Sequence, residues 1–148
     1  MCGIIGILGK TEVQDRIVDG LSRLEYRGYD SAGVAIMSDA KASVSKAVGK
    51  LSNLRTELAR KPLVGRLGIG HTRWATHGAA NTVNAHPHRA EHVTVVHNGI
   101  IENHAELKSE LTSQGVVFVS ETDTEVIAQL MNAALSTSPT FGNPCAAP

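Results

Sequence analysis

Cys2 stands one residue from the start of this chain. At an arbitrary position a cysteine reads as a small buried hydrophobe, and that reading stays open here. Position two adds another. A small second residue permits removal of the initiator methionine, which leaves Cys2 with a free α-amine of pKa about 7.7–8.0, partly neutral near pH 7. Such an amine can take the proton of its own residue's thiol, directly or through one water. The thiol then becomes a nucleophile without a histidine partner.

Three other groups carry side chains suited to the same chemistry. His97-Asn98-Gly99 ends an apolar run. It reads either as a simple turn or as an oxyanion hole in which the Asn98 amide and the Gly99 backbone N–H face a developing negative charge. In His71 to Gly78 (HTRWATHG), Arg73 is a surface charge or a forked donor for a carboxylate, with Thr76 and His77 beside it. Trp74 either packs against a neighbour or forms an apolar wall that excludes water. Asp123 suits a helix N-terminus on dipole grounds alone, or is held there to receive an ammonium group. Together these residues describe a site for an α-amino acid with a carbonyl side chain: Arg73 for the carboxylate, Asp123 for the ammonium, Cys2 for the side-chain carbonyl.

The elements that must position them follow from periodicity. Gly3 to Leu8 is a strand beginning almost at the terminus, and Val13 to Leu24 is a helix with Val13, Ile17, Val18, Leu21 and Leu24 on one face. Gly33 to Met37, Ala42 to Val48 and Leu67 to His71 are strands. Leu51 to Arg60 is a helix stopped by Pro62. Residues 72–89 read as a long polar loop, a length that is often functional. Val93 to His97 and Val116 to Val119 are further strands. Asn103 with Glu106 and Thr122 with Glu125 have capping-box spacing, Gly115 closes the first of these helices, and Val126, Ile127, Leu130 and Ala134 give the second its apolar face.

The 148 residues are of single-domain length, and 42% hydrophobic with 19% charged content supports a packed core. Fourteen basic and fourteen acidic residues cancel, and aromatics are 3%, so neither a nucleic acid nor an anionic membrane is an expected partner. Ile4 to Leu8 is too short for a membrane span or signal segment, which points to the cytoplasm. Its two cysteines, Cys2 and Cys145, make no disulfide framework, and the seven histidines show no metal-site spacing. No metal or cofactor is expected. His71, His86 and His97 read as hydrogen-bonded structural groups.

Six blocks in order carry a resemblance: MCGIIGI, RLEYRGYDSAG (Arg23 to Gly33), HTRWATHG, NAHPH (Asn84 to His88), HNGIIEN (His97 to Asn103) and ETDTEVIAQL (Glu121 to Leu130). From Met1 to about Leu135 the chain resembles the glutamine–fructose-6-phosphate aminotransferase (isomerizing), or glucosamine-6-phosphate synthase, family of class II amidotransferases. The resemblance implies an α+β N-terminal-nucleophile hydrolase fold, a four-layer αββα sandwich. It implies Cys2 as nucleophile with its α-amine as base, and Asn98 and Gly99 as oxyanion hole. L-glutamine is then held by Arg73, Thr76, His77 and Asp123, with Trp74 near the ammonia path. The implied reaction gives L-glutamate and ammonia through a thioester, for transfer to fructose 6-phosphate on a separate isomerase domain.

That family's amidotransferase domain runs beyond this length, and no isomerase residues are present. The resemblance therefore predicts a partial domain over residues 1–135, incomplete on its C-terminal side. Ser136 to Pro148, with three of the five prolines, reads as a non-family disordered tail. Missing strands would leave a sheet edge prone to self-association. An inactive truncated remnant that acts only by association is accordingly the alternative to an enzyme.

Overall fold

The computed structural model describes residues 2–75 and 78–137. In chain order the elements are β1 (Gly3–Leu8), α1 (Gln14–Ser22), β2 (Ser31–Ser38), β3 (Lys41–Val48), α2 (Leu51–Arg60), β4 (Leu67–Arg73), β5 (His88–Arg89), β6 (Thr94–Val95), α3 (His104–Ser113) and α4 (Thr124–Thr137), with one 3₁₀ turn at Glu25–Arg27. Strands β1-β4-β2-β3 form an antiparallel sheet in that order, and β5 pairs with β6 in a second. Helices α1 and α2 pack on the first sheet, while α4 packs on β5 and β6 with α3 beside it. The order helices, sheet, sheet, helices is the αββα layering that the resemblance implies.

Period-two alternation assigns each face of the large sheet its task. On β4, Gly68 and Gly70 lie under α1. A Cβ on Gly70 would come within 2.5 Å of Ile17 Cγ2, and one on Gly68 within 2.7 Å of Ile17 Cδ1. The helix thus rests on bare backbone, and Val13, Ile17, Val18 and Leu21 join Val34, Ile36, Leu51, Leu54 and Leu58 in the core. His71 and Arg73 point to the opposite face, toward the second layer, and both are buried. There the chain at His86 crosses so close to β2 that a Cβ on Gly33 would sit 2.1 Å from the His86 carbonyl oxygen.

Several expected elements differ. β4 continues to Arg73, past the expected end at His71, because Thr72 and Arg73 pair with Ala32 and Ser31 of β2. Of the strand expected over Val93 to His97 only Thr94–Val95 pairs, opposite Arg89 and His88. Val116 to Val119 is not a strand: the Val119 and Ser120 amides donate to the Glu125 carboxylate at 2.9 and 2.6 Å, and Val117 and Val119 are 81% and 75% exposed. The same contacts remove the expected capping box of α4. Glu125 reaches back past Thr122, whose hydroxyl bonds Ser120 Oγ and His88 Nε2. Asn103 makes no side-chain cap on α3. Its φ of −94° and ψ of 22° lie outside the extended region from which a capping side chain reaches the first turn. Gly115 does close α3, at φ +90°. On α4, Val126 and Ala128 are buried, but Leu130 and Ala134 are exposed, since no element covers that flank among the described residues. The helix runs to Thr137, two residues past the expected end of the domain. Residues 138–148, with Cys145, lie outside the described residues.

Candidate active site

Cys2 reaches its place through the first pair of the β1–β4 ladder. Gly3 stands opposite Thr72 and donates its N–H to Thr72 Oγ1 at 3.0 Å. A Cβ on Gly3 would meet Leu24 Cδ1 at 2.7 Å, so glycine is what lets the strand start lie this deep. The register sets Cys2 beside the end of β4, where the Trp74 backbone N–H donates to Cys2 Sγ at 3.1 Å. The Arg27 guanidinium donates to the Cys2 carbonyl oxygen at 3.5 Å.

Cys2 opens into a cleft of about 620 Å³. Arg73, Trp74, Asn98, Gly99 and Asp123 line it as well, so three segments far apart in sequence meet in one cavity with the thiol. Asn98 Oδ1 lies 2.8 Å from His71 Nε2. Gly99 has φ +154°, and a Cβ there would lie 2.8 Å from His97 Nε2. The turn after β6 therefore requires glycine for both backbone and space. Thr76 and His77 lie outside the described residues.

Arg73 is held among oxygen atoms. Its guanidinium donates to the carbonyls of Gly78 and Ala79, each at 3.4 Å, and lies 4.0 Å from Asp30 Oδ1. These contacts orient the guanidinium fork where it lines the cleft. Asp123 is buried at the start of α4, and its Oδ2 accepts the Ile101 N–H at 2.7 Å. That bond ties the 97–101 turn to the acid.

Two supporting residues, Asp30 and Asn84, carry no local signal of their role. Asp30, within RGYDSAG, accepts hydrogen bonds from the Ala75 N–H and Ser31 Oγ and faces Arg73. Asn84 bridges the 78–85 loop to residue 121: its Nδ2 donates to Ala79 O at 3.0 Å and Glu121 Oε2 at 2.9 Å, and its Oδ1 accepts from Glu121 N at 2.9 Å. Both residues lie in blocks already singled out, yet pairing them with Arg73 and Glu121 needs contacts that spacing does not encode.

His71 and His86 line the cleft and form a cluster of rings with His88. The His71 and His86 ring centroids are 4.2 Å apart at 31°, and those of His86 and His88 are 4.6 Å apart, edge to face. Burial lowers His71 and His88 to about 4 each and pushes His86 far down, with the neighbouring cationic forms adding to the effect at His86. All three are neutral at pH 7. Among the described residues no group of three His, Cys, Asp or Glu side chains is arranged to hold a metal ion.

An antiparallel sheet that presents a cysteine at the start of its first strand, with donors on the facing turn and a second sheet and helix layer behind, is the N-terminal-nucleophile hydrolase fold. A family model described as a glutamine amidotransferase domain matches residues 59–136, and the chain belongs to that family. Solved structures agree. A glutamine phosphoribosylpyrophosphate amidotransferase from B. subtilis superposes with a TM-score of 0.75 at 29% identity, covering 89% of this chain and 29% of that one. A structure of the allosteric regulatory enzyme of purine biosynthesis gives 0.76 at 30%, with the same coverage. Among curated relatives, the glutamine–fructose-6-phosphate aminotransferase [isomerizing] of Caulobacter vibrioides is 62% identical over 136 residues, which are 92% of this chain and 22% of the relative. That of Clostridium acetobutylicum is 57% identical over 134 residues, 89% of this chain and 22% of the relative. The chain thus spans about a fifth of the length of the curated relatives it matches.

Proposed function

We propose that the chain hydrolyses the side-chain amide of L-glutamine, as the glutamine-hydrolysing part of a glutamine–fructose-6-phosphate aminotransferase. The observation that carries this reading is the convergence of Cys2, Asn98, Gly99, Arg73 and Asp123 on one cleft. Arg73 takes the α-carboxylate of glutamine, Asp123 its α-ammonium, and Thr76 and His77 complete the pocket. With Met1 removed, the Cys2 α-amine accepts the thiol proton as Sγ bonds to the amide carbon. The Asn98 side-chain amide and the Gly99 N–H hold the oxyanion of the tetrahedral intermediate. On its collapse the C–N bond breaks, the amine's proton passes to the leaving nitrogen, and ammonia departs from a γ-glutamyl thioester. Water, deprotonated by the same amine, attacks the thioester and releases L-glutamate and free thiol.

Trp74, half-exposed at the mouth of the cleft, is the gate on the path that ammonia takes. The acceptor is fructose 6-phosphate, the sugar in the name of the curated relatives, and the product is glucosamine 6-phosphate. The isomerase domain that binds the sugar is the natural partner. No cofactor enters the reaction as written. Among the described residues no helix is long and apolar enough to cross a membrane, and a cytoplasmic setting suits a reduced thiol nucleophile.

The direct test is glutamate release from L-glutamine by the Met1-free chain. Activity abolished by Cys2→Ala supports the proposal; equal release by both proteins sinks it.

A second reading has its own observation. Leu8 is 81% exposed, and Val117, Val119 and Met131 are exposed with it. Exposed apolar side chains of this kind favour association, as expected of a remnant that acts only by association. Sedimentation separates the readings: a monomer that turns over glutamine excludes the remnant, and an inactive oligomer establishes it.

A further inference from the structure

The contact between His71 and Asn98 goes beyond the roles just proposed, although it rests on Asn98 as an oxyanion donor. An asparagine side chain can serve an oxyanion in only one of its two orientations. With Nδ2 toward the cleft it donates; with Oδ1 there it repels. Nothing intrinsic to Asn98 selects between them, so a neighbour must.

His71 is that neighbour. Its ring is fully buried on β4, and its Nε2 lies 2.8 Å from Asn98 Oδ1. Among the described residues Nδ1 of the same ring has no hydrogen-bond partner. A neutral imidazole has one N–H and one acceptor nitrogen. A proton on Nδ1 would be a buried donor without an aligned hydrogen-bond acceptor, although the His97 backbone carbonyl also lies near the ring. A proton on Nε2 meets Oδ1 directly. The Nε2–H tautomer is therefore the stable one, and it makes Asn98 present oxygen to His71 and Nδ2 away from it. The ring is fixed in turn: His86 lies against its face, and β4 is flanked at His71 by Ile4 and Gly33.

We infer that His71 is a positioning residue for the oxyanion hole, donating its Nε2–H to Asn98 Oδ1 so that the Asn98 amide nitrogen faces the reacting carbonyl. Loss of the donor leaves glutamine binding through Arg73 and Asp123 intact. The effect belongs in kcat rather than KM.

The test compares glutamine hydrolysis by the full chain, Met1 removed, with that of His71→Leu, His71→Gln and Asn98→Ala. Gln carries a terminal N–H near the position of imidazole Nε2; Leu fills the space without a donor. His71→Leu is expected to lower kcat by about tenfold to a hundredfold, short of the roughly 100- to 1000-fold expected from removing an oxyanion donor itself. KM should stay within about threefold, and His71→Gln should recover most of the loss. Equal kcat in His71→Leu and the parent chain, with Asn98→Ala impaired, overturns the positioning role alone. An unimpaired Asn98→Ala overturns the oxyanion reading and this inference with it. If His71→Leu lowers the thermal midpoint and His71→Gln restores the midpoint but not kcat, the contact is structural and the inference fails.

Discussion

The Trp74 backbone N–H points at the Cys2 sulfur from 3.1 Å, and through it the end of β4 fixes where the Cys2 thiol sits. The Trp74 ring is placed from the other side by Gly28, whose φ is +73° and where a Cβ would lie 2.7 Å from ring Cζ3. Gly28→Ala should therefore displace Trp74, loosen the Cys2 contact and slow glutamine hydrolysis by roughly tenfold. Steady-state kinetics beside Gly49→Ala, a positive-φ glycine whose nearest neighbour is Asn53 Nδ2 at 3.1 Å, check this: the control should lose stability without a comparable loss in kcat.

Gly99→Ala should be close to inactive. The added methyl meets the His97 ring at 2.8 Å, and His97 is itself tied to Thr124 Oγ1 at 3.3 Å, so it has little room to yield. Displacing the Gly99 N–H removes one oxyanion donor, about 2.7–4 kcal/mol of barrier. A kcat within threefold of the parent would show that this amide does not face the reacting carbonyl.

Arg73→Lys should raise KM for glutamine by about tenfold to a hundredfold, in line with the roughly 1.5–3 kcal/mol of a hydrogen bond to a charged group. Lysine keeps the charge but not the planar fork. It would also lose the paired contacts to Gly78 and Ala79 that aim the guanidinium. Initial rates across glutamine concentrations check it, and an unchanged KM would remove Arg73 from substrate binding.

Acid should unfold the chain early. His71 and His88 are held to about 4 by burial, against 6.5 for an unfolded histidine. The unfolded chain therefore binds more protons between these values. Their contribution to stability is complete above pH 6.5 and is lost as pH falls from 6.5 toward 4, on the order of 2 kcal/mol for each by pH 5. His86, shifted in the same direction by burial, adds to the loss. Urea midpoints at pH 7, 6 and 5 should fall steadily; equal midpoints would mean that the stack is hydrated or open.

Much of the scaffold was legible because its signals are local. β1 begins at Gly3 and α2 spans Leu51–Arg60, as the apolar pattern and Pro62 require. The differences arise where a side-chain contact or the local backbone overrides the residue pattern. Val116 to Val119 has strand-like residues, but Glu125 takes the Val119 amide together with that of Ser120, and among the described residues no strand pairs with the segment. The two capping boxes have the right spacing, but Glu125 has nearer donors and Asn103 the wrong backbone. At the site the candidate residues Cys2, Arg73, Asn98, Gly99 and Asp123, which line one cleft, were nameable from type and position. The residues that hold them, Asp30, His71 and Asn84, act through contacts across 45, 27 and 37 positions, which no spacing rule reveals.

The most direct test of the central claim, that Cys2 is the nucleophile of a glutamine-hydrolysing site, is the intact mass of the purified chain before and after incubation with 6-diazo-5-oxo-norleucine, a glutamine analogue with an electrophilic side chain. The account predicts a chain lacking Met1 that gains one analogue, with the gain lost in Cys2→Ala and slowed by excess glutamine. A folded, Met1-free chain that stays unmodified, or that is modified equally in Cys2→Ala, would contradict it.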